Sequence, residues 1–487
     1  MPEQDPYHLP EPAAVPSAAA SGRGPEGGTG APGPAEPDAP AGPAASAAAT
    51  AADGLYGLHN LPYGIFSTAD EPDRKRVGVR YGDRVLDVPT AATALGSPHT
   101  DVLARPTLNP LMAAGPAVWR AVREDIRTWL GYPAIEPFLR PLPEVTLHLP
   151  FEVADYADFY SSEHHATNAG RIFRPHGEPL PANWKHLPIG YHGRAGTVVV
   201  SGTPVVRPSG QRRGEPEPGP AARSGSAPGS GAAAAAGPQA GPPAASAPAA
   251  GAGPGPAAAA GPRPVFGPTR RLDIEAEVGF VVGAPSRHGE PVPLSAFREH
   301  VFGVCLVNDW SARDIQSWET VPLGPFLGKS FATSVSAWIT PLDALDAART
   351  APPPRDPAPL PYLDDSGEEP GGLDIRIQVA LNGHPVAEPP AATLYWTGAQ
   401  QLAHLTAGGA SLRTGDLYAS GTVSGPEPGQ RGSLLELTWN GRDPLDLPDG
   451  KRTFLEDGDE VTLTAWAPGP DGTRVGLGEV TGRIMPS

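Results

Sequence analysis

Three acids alternate along Arg270-Arg-Leu-Asp-Ile-Glu-Ala-Glu-Val-Gly-Phe280. On an extended strand Asp273, Glu275 and Glu277 project from one face, while Leu272, Ile274, Ala276 and Val278 project from the other. By itself the alternation suits a solvated acidic face as well as a hard-cation site, since carboxylates two residues apart on a rigid strand can reach one ion. Two further acids bear on the choice. Asp309 follows the apolar run 301–307 and opens Asn308-Asp-Trp-Ser-Ala-Arg-Asp-Ile-Gln-Ser-Trp-Glu319. Its place also suits the N-cap of a helix, and Arg313 and Gln316 then fall on one helical stripe with it. Asp158 lies in Asp155-Tyr-Ala-Asp-Phe-Tyr-Ser-Ser-Glu-His-His-Ala-Thr-Asn168. A set of oxygen ligands without histidine or thiolate favours Mg2+, Ca2+ or Mn2+ over zinc.

Other chemistries find no support. Leu323-Gly-Pro-Phe-Leu-Gly-Lys-Ser-Phe-Ala-Thr333 looks like a phosphate-binding loop, but only three residues, one of them proline, separate its glycines where that motif needs four. Lys329 therefore reads as a local cation beside the acids. There is no GxSxG elbow for a serine hydrolase. Cys305 is the sole cysteine and sits in an apolar run, so neither a disulfide nor a CxxC or Cys/His zinc pattern is available. It reads as a buried core thiol. Two glycine-containing segments, Pro188-Ile-Gly-Tyr-His-Gly-Arg-Ala-Gly196 and Leu412-Arg-Thr-Gly-Asp-Leu-Tyr-Ala-Ser-Gly-Thr-Val-Ser-Gly425, each suit an ordinary loop when taken singly.

The elements that must position these residues follow from periodicity. Residues 76–88 alternate around Tyr-Gly-Asp and predict a hairpin. Residues 109–132 carry apolar side chains at helical spacing. After residue 150 come short apolar strands at 197–200, 272–282, 301–307, 375–381, 434–439 and 461–467, with helical patterns at 310–318 and 398–407. The fold class is mainly β (α+β). Gly (60) and Pro (65) concentrate in two stretches of the 487 residues, which leaves roughly 380 residues for packed structure. Residues 1–53 lack hydrophobic periodicity and read as a disordered tail. A second low-complexity block at about 214–263 lies between strand-like regions and reads as a surface insertion, and the Pro-rich stretch 348–370 reads as a loop. A formal net charge of −17 argues against a nucleic-acid surface. No apolar run reaches membrane-spanning length, and the acidic start MPEQDP does not resemble a signal peptide, so the expected address is cytoplasmic.

Taken together the segments resemble the fumarylacetoacetate hydrolase family. The matching stretches are 155–174, 187–210, 270–277, 308–333 and 415–436, with His59-Asn-Leu-Pro-Tyr-Gly-Ile-Phe-Ser-Thr68 and Asp457-Gly-Asp-Glu-Val-Thr462 at the two ends. The resemblance covers nearly everything outside the tail and the insertion. It implies a small SH3-like barrel at 54–150 and a mixed β-roll catalytic domain at 151–487, in a homodimer. It also implies metal ligands at Asp158, Glu275, Glu277 and Asp309, and a second cation near Asp309, Lys329 and Thr333. His165 would be the general base, oriented by Glu436. Substrate contacts would fall on Tyr160, Arg174, Gln316 and Thr422, with Arg313 near the reacting group. At Thr320 the family has tyrosine, so that substrate contact departs from the pattern.

The implied reaction is hydrolysis of the carbon–carbon bond of 4-fumarylacetoacetate to fumarate and acetoacetate, the last step of tyrosine and phenylalanine catabolism. It needs Ca2+ or Mg2+ and no organic cofactor. Two alternatives stand beside it: a related hydrolase or decarboxylase of another 2,4-dioxo acid, and a catalytically silent metal-binding β-protein. His165 and Glu436 speak against the silent protein, since ion binding needs neither.

Overall fold

Every residue from 301 to 309 is buried, including both its odd and its even positions. A strand of this kind must be covered on both faces, which is why its apolar residues run on without polar alternation. In the computed structural model, which describes residues 54–214 and 263–487, the strand Val301–Asp309 lies at the centre of an eight-stranded sheet. Val304 and Leu306 join one hydrophobic core and Phe302, Cys305 and Val307 the other. Its neighbour Ala276–Val282 divides in the same way, with Val278, Phe280 and Val282 on one side and Val281 on the other. Beyond that strand come Leu417–Ala419, Tyr156–Phe159 and Gly190–His192. On the other flank of Val301–Asp309 lie Thr333–Val335 and Val198–Val200.

A second sheet runs His384–Ala387, Arg376–Leu381, Glu460–Pro468, Arg474–Met485 and Val205–Val206. Its inward residues, among them Ile377, Val379, Leu463 and Val480, pack into the first core. Near the N-terminus the predicted hairpin forms from Glu71–Tyr81 and Arg84–Asp87. Its turn passes through Gly82 at a positive φ of 62°. This hairpin belongs to an antiparallel sheet ordered Leu139–Pro141, Arg84–Asp87, Glu71–Tyr81, Tyr63–Thr68, Val145–His148. The helix Pro116–Leu130 buries Val122, Ile126 and Trp129, spaced four and three residues apart on one face. Ile65, Val79 and Ile126 share a core with Val281 and Val307, so the segments on either side of residue 150 are joined by common apolar burial. The architecture is mainly β with curled sheets. No helix among the described residues is long and apolar enough to cross a membrane.

Four local expectations change. Residues 109–132 form two helices, Asn109–Ala113 and Pro116–Leu130, because Gly115 takes φ 83° and Pro116 starts the second. The acidic strand is interrupted: Leu272–Asp273 pairs with Ser311–Ala312, and pairing with Val301–Asp309 begins only at Ala276. The expected helix over 310–318 therefore starts at Arg313, and Asp309 ends a strand rather than capping a helix. Residues 434–439, expected as a strand, hold the short helix Leu434–Leu437 with Ser433 at its N-cap. The tail 1–53 and all but the ends of the block 214–263 lie outside the described residues.

Candidate active site

Register explains how the acids meet. Asp158 pairs with Ala419 on one side and Tyr191 on the other, Glu277 stands opposite Val307, and Asp309 stands opposite Thr333. Side chains two residues apart share a face. Asp158 therefore shares the face of Tyr156, Glu277 that of Val281, and Asp309 that of Val307, all three of which belong to one core. Glu275 joins them from the break before the strand, where its N–H is held by Asn308 Oδ1 at 3.2 Å. The result is a cluster in which Asp158, Glu275, Glu277 and Asp309 each offer an oxygen within 4.8 Å of the others. All four are buried.

Two cations face this cluster. Lys329 Nζ lies 2.6 Å from both Glu275 Oε2 and Asp309 Oδ2. Arg313 Nη1 lies 2.6 Å from Glu275 Oε1. Thr333 Oγ1 and Tyr191 OH also donate to Asp309, at 2.9 and 3.0 Å. Burial opposes ionisation of Glu275, but Lys329, Arg313 and His165 outweigh it and hold that carboxyl below its ordinary range. Asp158 and Glu277 behave oppositely. Burial first, then neighbouring carboxylates, push both well above the ordinary carboxylate range. Asp158 Oδ1 and both oxygens of Glu277 have no hydrogen-bond partner among the described residues.

Buried carboxylate oxygens without partners are costly unless something binds them. Lys329 and Arg313 serve Glu275 and Asp309, with Arg313 shared with Asp273. The carboxyls of Asp158 and Glu277 have no cation beside them among the described residues, which suits one divalent ion. The oxygen-only donor set suits a hard one. Lys329 acts here as a counter-charge, since a protonated ammonium has no lone pair to give a cation. Burial disfavours that charge, but Asp309 and Glu275 raise its pKa overall.

His165 follows the N-cap Ser162 in the helix Glu163–Phe173, with its N–H 3.2 Å from Ser162 Oγ. Its Nδ1 meets Glu436 Oε2 at 2.6 Å, across 271 residues of sequence. Ser424 and Ser433 hydroxyls donate to the same oxygen at 2.9 Å each, and Asn168 Nδ2 donates to Oε1 at 2.9 Å. Burial would raise the pKa of Glu436, but His165 and these donors bring it below its ordinary value. An ionised carboxylate on Nδ1 places the ring proton there and leaves Nε2 as the basic nitrogen. His165 is within electrostatic reach of Glu275, so dyad and cluster are neighbours.

The chain is similar to known proteins over most of its length. Residues 59–150 match the fumarylacetoacetase N-terminal family, and residues 230–485 match the fumarylacetoacetate hydrolase C-terminal family. Human fumarylacetoacetase is 43% identical over 453 residues, covering 88% of this chain and 96% of the human protein. The rice enzyme is 39% identical over 453 residues, with 88% and 94% covered. That of Caenorhabditis elegans is 40% identical over 448 residues, with 88% and 96% covered. The chain belongs to the fumarylacetoacetase family.

Around the site of this fumarylacetoacetase family member the remaining anticipated residues divide. Tyr160 sets its ring edge-on to His165 with centroids 5.3 Å apart. Gln316 Oε1 accepts from Arg313 Nη1 at 3.2 Å. Thr422 Oγ1 is buried and has no hydrogen-bond partner among the described residues. Thr320 Oγ1 donates to the Gln316 carbonyl at 2.6 Å, so its hydroxyl is engaged at the end of its own helix. Arg174 is exposed and donates to the carbonyls of Glu178 and Pro179. Asp273, grouped with Glu275 and Glu277 by alternation, parts from them at the strand break and pairs with Arg313 instead.

Sequence reading did not find Asn168, Ser424, Ser433, Tyr191 and Asn308. Asn168 had a usable signal, because it lies three residues after His165 on the same helix face. Ser433 had one too, because Ser-x-x-Glu leading into Glu436 is a helix-capping pattern, whereas Tyr191, Asn308 and Ser424 meet their partners only through the fold.

Proposed function

We propose that this chain hydrolyses the carbon–carbon bond of 4-fumarylacetoacetate, yielding fumarate and acetoacetate in the last step of tyrosine and phenylalanine breakdown. The observation that carries the proposal is the buried His165–Glu436 pair at 2.6 Å beside a four-carboxylate cluster.

His165 Nε2 takes a proton from water as the oxygen attacks a carbonyl carbon of the β-diketone. Glu436 holds the imidazole in that tautomer and stabilises the imidazolium that forms, as the acid of a serine-protease triad does. Negative charge then develops on the carbonyl oxygen. Lys329 has a third donor beyond those given to Glu275 and Asp309, and Arg313 Nη2 has no partner among the described residues. Both suit a developing oxyanion or a substrate carboxylate. The carbon–carbon bond breaks with its electron pair moving into the departing enolate, and His165 returns its proton to that fragment.

A divalent cation held by Asp158, Glu275, Glu277 and Asp309 supplies Lewis acidity toward the diketone oxygens. Ca2+ and Mg2+ are the ions proposed, with a second near Asp309, Lys329 and Thr333. Tyr160, Arg174, Gln316 and Thr422 are assigned to substrate binding. The antiparallel sheet of residues 54–150 is read as an SH3-like barrel, and 151–487 as a β-roll catalytic domain. The working form is taken as a cytoplasmic homodimer.

The test is incubation of purified protein with fumarylacetoacetate, with and without a chelator, and identification of the products. Fumarate and acetoacetate are expected, together with loss of turnover on chelation and recovery with Mg2+ or Ca2+. No turnover rules the activity out, and chelator-insensitive turnover rules out the metal.

A further inference from the structure

We infer that Asp273 is a positioning residue that ties the arginine of the site to the helix carrying Glu436. This rests on the hydrolytic reading given above. Asp273 is fully buried, and both of its oxygens are occupied. Oδ2 accepts from Arg313 Nε at 2.7 Å and from the Leu435 N–H at 3.0 Å. Oδ1 accepts from the N–H groups of Ile274 and Leu434, each at 2.7 Å. Leu434 and Leu435 are the first two residues of Leu434–Leu437, and Glu436 is the third. The amides opening a helix have no partner within it, and here one carboxylate takes two of them.

The consequences run to both halves of the site. A helix of four residues has little hold on its own position, so the carboxylate at its opening fixes where Glu436 meets His165. On the other side, bonding Nε fixes the plane of the Arg313 guanidinium. Nη1 then rests on Glu275, and Nη2 is left as a donor with no partner among the described residues. The guanidinium is a rigid planar fork, so holding one nitrogen aims the others. The strand break makes this possible, since pairing of Leu272–Asp273 with Ser311–Ala312 brings Asp273 alongside Arg313.

Asp273→Asn is a discriminating change because neither orientation of the amide fits. One sets its NH2 against Arg313 Nε and the Leu435 N–H, the other against the Ile274 and Leu434 N–H groups. The loss of per-site turnover is expected at about 10- to 100-fold, the scale for residues that orient a metal or catalytic group. KM for fumarylacetoacetate should rise severalfold as Arg313 loses its aim.

Folded sites are counted by metal titration and thermal unfolding, and kcat is expressed per site. A role in folding alone lowers the number of sites but leaves per-site kcat and KM at wild-type values, and that result overturns the assignment. Combination with Glu436→Gln should cost less than the product of the two single losses, since both act through one unit. Multiplicative losses overturn it as well. Should Asp273→Asn not fold, Leu434→Pro removes one of the N–H donors at a helix position that accepts proline. The same paired change in kcat and KM is expected, and wild-type constants there overturn the assignment. A wild-type protein inactive on fumarylacetoacetate shows a different pattern, removing the functional reading and this assignment with it.

Discussion

Glu436 collects donors from His165, Asn168, Ser424 and Ser433, an arrangement that a carboxylate needs in order to stay ionised while buried. Its partner is thereby committed to one tautomer. His165→Ala should lower kcat by at least about 100-fold, the usual contribution of general-base catalysis. Metal affinity should survive, because His165 is not among the clustered carboxylates. Single-turnover kinetics alongside metal titration separate the two, and a near-normal kcat would remove the general-base assignment. Glu436→Gln should also lower kcat, with the double variant little worse than the worse single, as in other catalytic units that act together.

At the scale of elements, the loop after Leu417–Ala419 carries Thr422 past the strand that holds Asp158. Gly421 makes that passage possible. Its φ is +74°, and a Cβ there would sit 2.1 Å from the Phe159 carbonyl oxygen. Gly421→Ala therefore combines left-handed strain, about 1–3 kcal/mol for a residue other than glycine, with a backbone clash next to Asp158 and Tyr160. A lower unfolding midpoint in urea and a reduced kcat/KM are expected together. Gly196 is the control: a Cβ there meets nothing within 4 Å, so Gly196→Ala should stay within about 0.5 kcal/mol of wild type. Equal effects at the two positions would show that strain at Gly421 is not what matters.

For the whole molecule, the buried carboxylates link stability to pH and metal. Without a cation, Asp158 and Glu277 titrate well above the ordinary carboxylate range in the folded state. Folding then favours their protonated forms. Stability is lost as pH rises from the unfolded carboxylate value, about 4, through the raised folded values. Glu275 shifts the other way, and its stabilising contribution is already complete above that range. A cation competes with protons for the same oxygens, so the rise in Tm on adding Mg2+ or Ca2+ should be larger at pH 8 than at pH 5. Scanning calorimetry at both pH values measures this, and a pH-independent increment would detach the cation from Asp158 and Glu277.

The ends of the low-complexity block meet in space. Ser209–Arg212 pairs with Val265–Pro268 in antiparallel register, and a Cβ on Gly214 would lie 2.1 Å from the Arg263 carbonyl oxygen. Replacing residues 215–262 by an Asn-Gly turn, which suits a two-residue hairpin connection, should leave kcat within a few-fold. A folded but inactive product would give the block a role in the site.

Much of this was determined along the chain. The continuous apolar run at 301–307 specifies a strand covered on both faces, and the alternation at 76–88 specifies a hairpin, because burial and side-chain period act locally. The supply of carboxylates, histidine and cations is likewise a property of the sequence, which its resemblance to the fumarylacetoacetate hydrolase family makes legible. Tertiary structure decided how those groups divide. Alternation alone puts Asp273 with Glu275 and Glu277. The break at Ile274 and Glu275 sends it to Arg313 and the helix Leu434–Leu437 instead. Residues 434–439 look like a strand from their apolar content, yet the N-cap Ser433 and the Asp273 carboxylate stabilise a helical turn there. Whether a buried acid is charged, protonated or ready for a cation depends on neighbours such as Lys329 and Arg313. Those neighbours arrive from other segments through sheet register and the burial of shared apolar surface, and no local pattern encodes them.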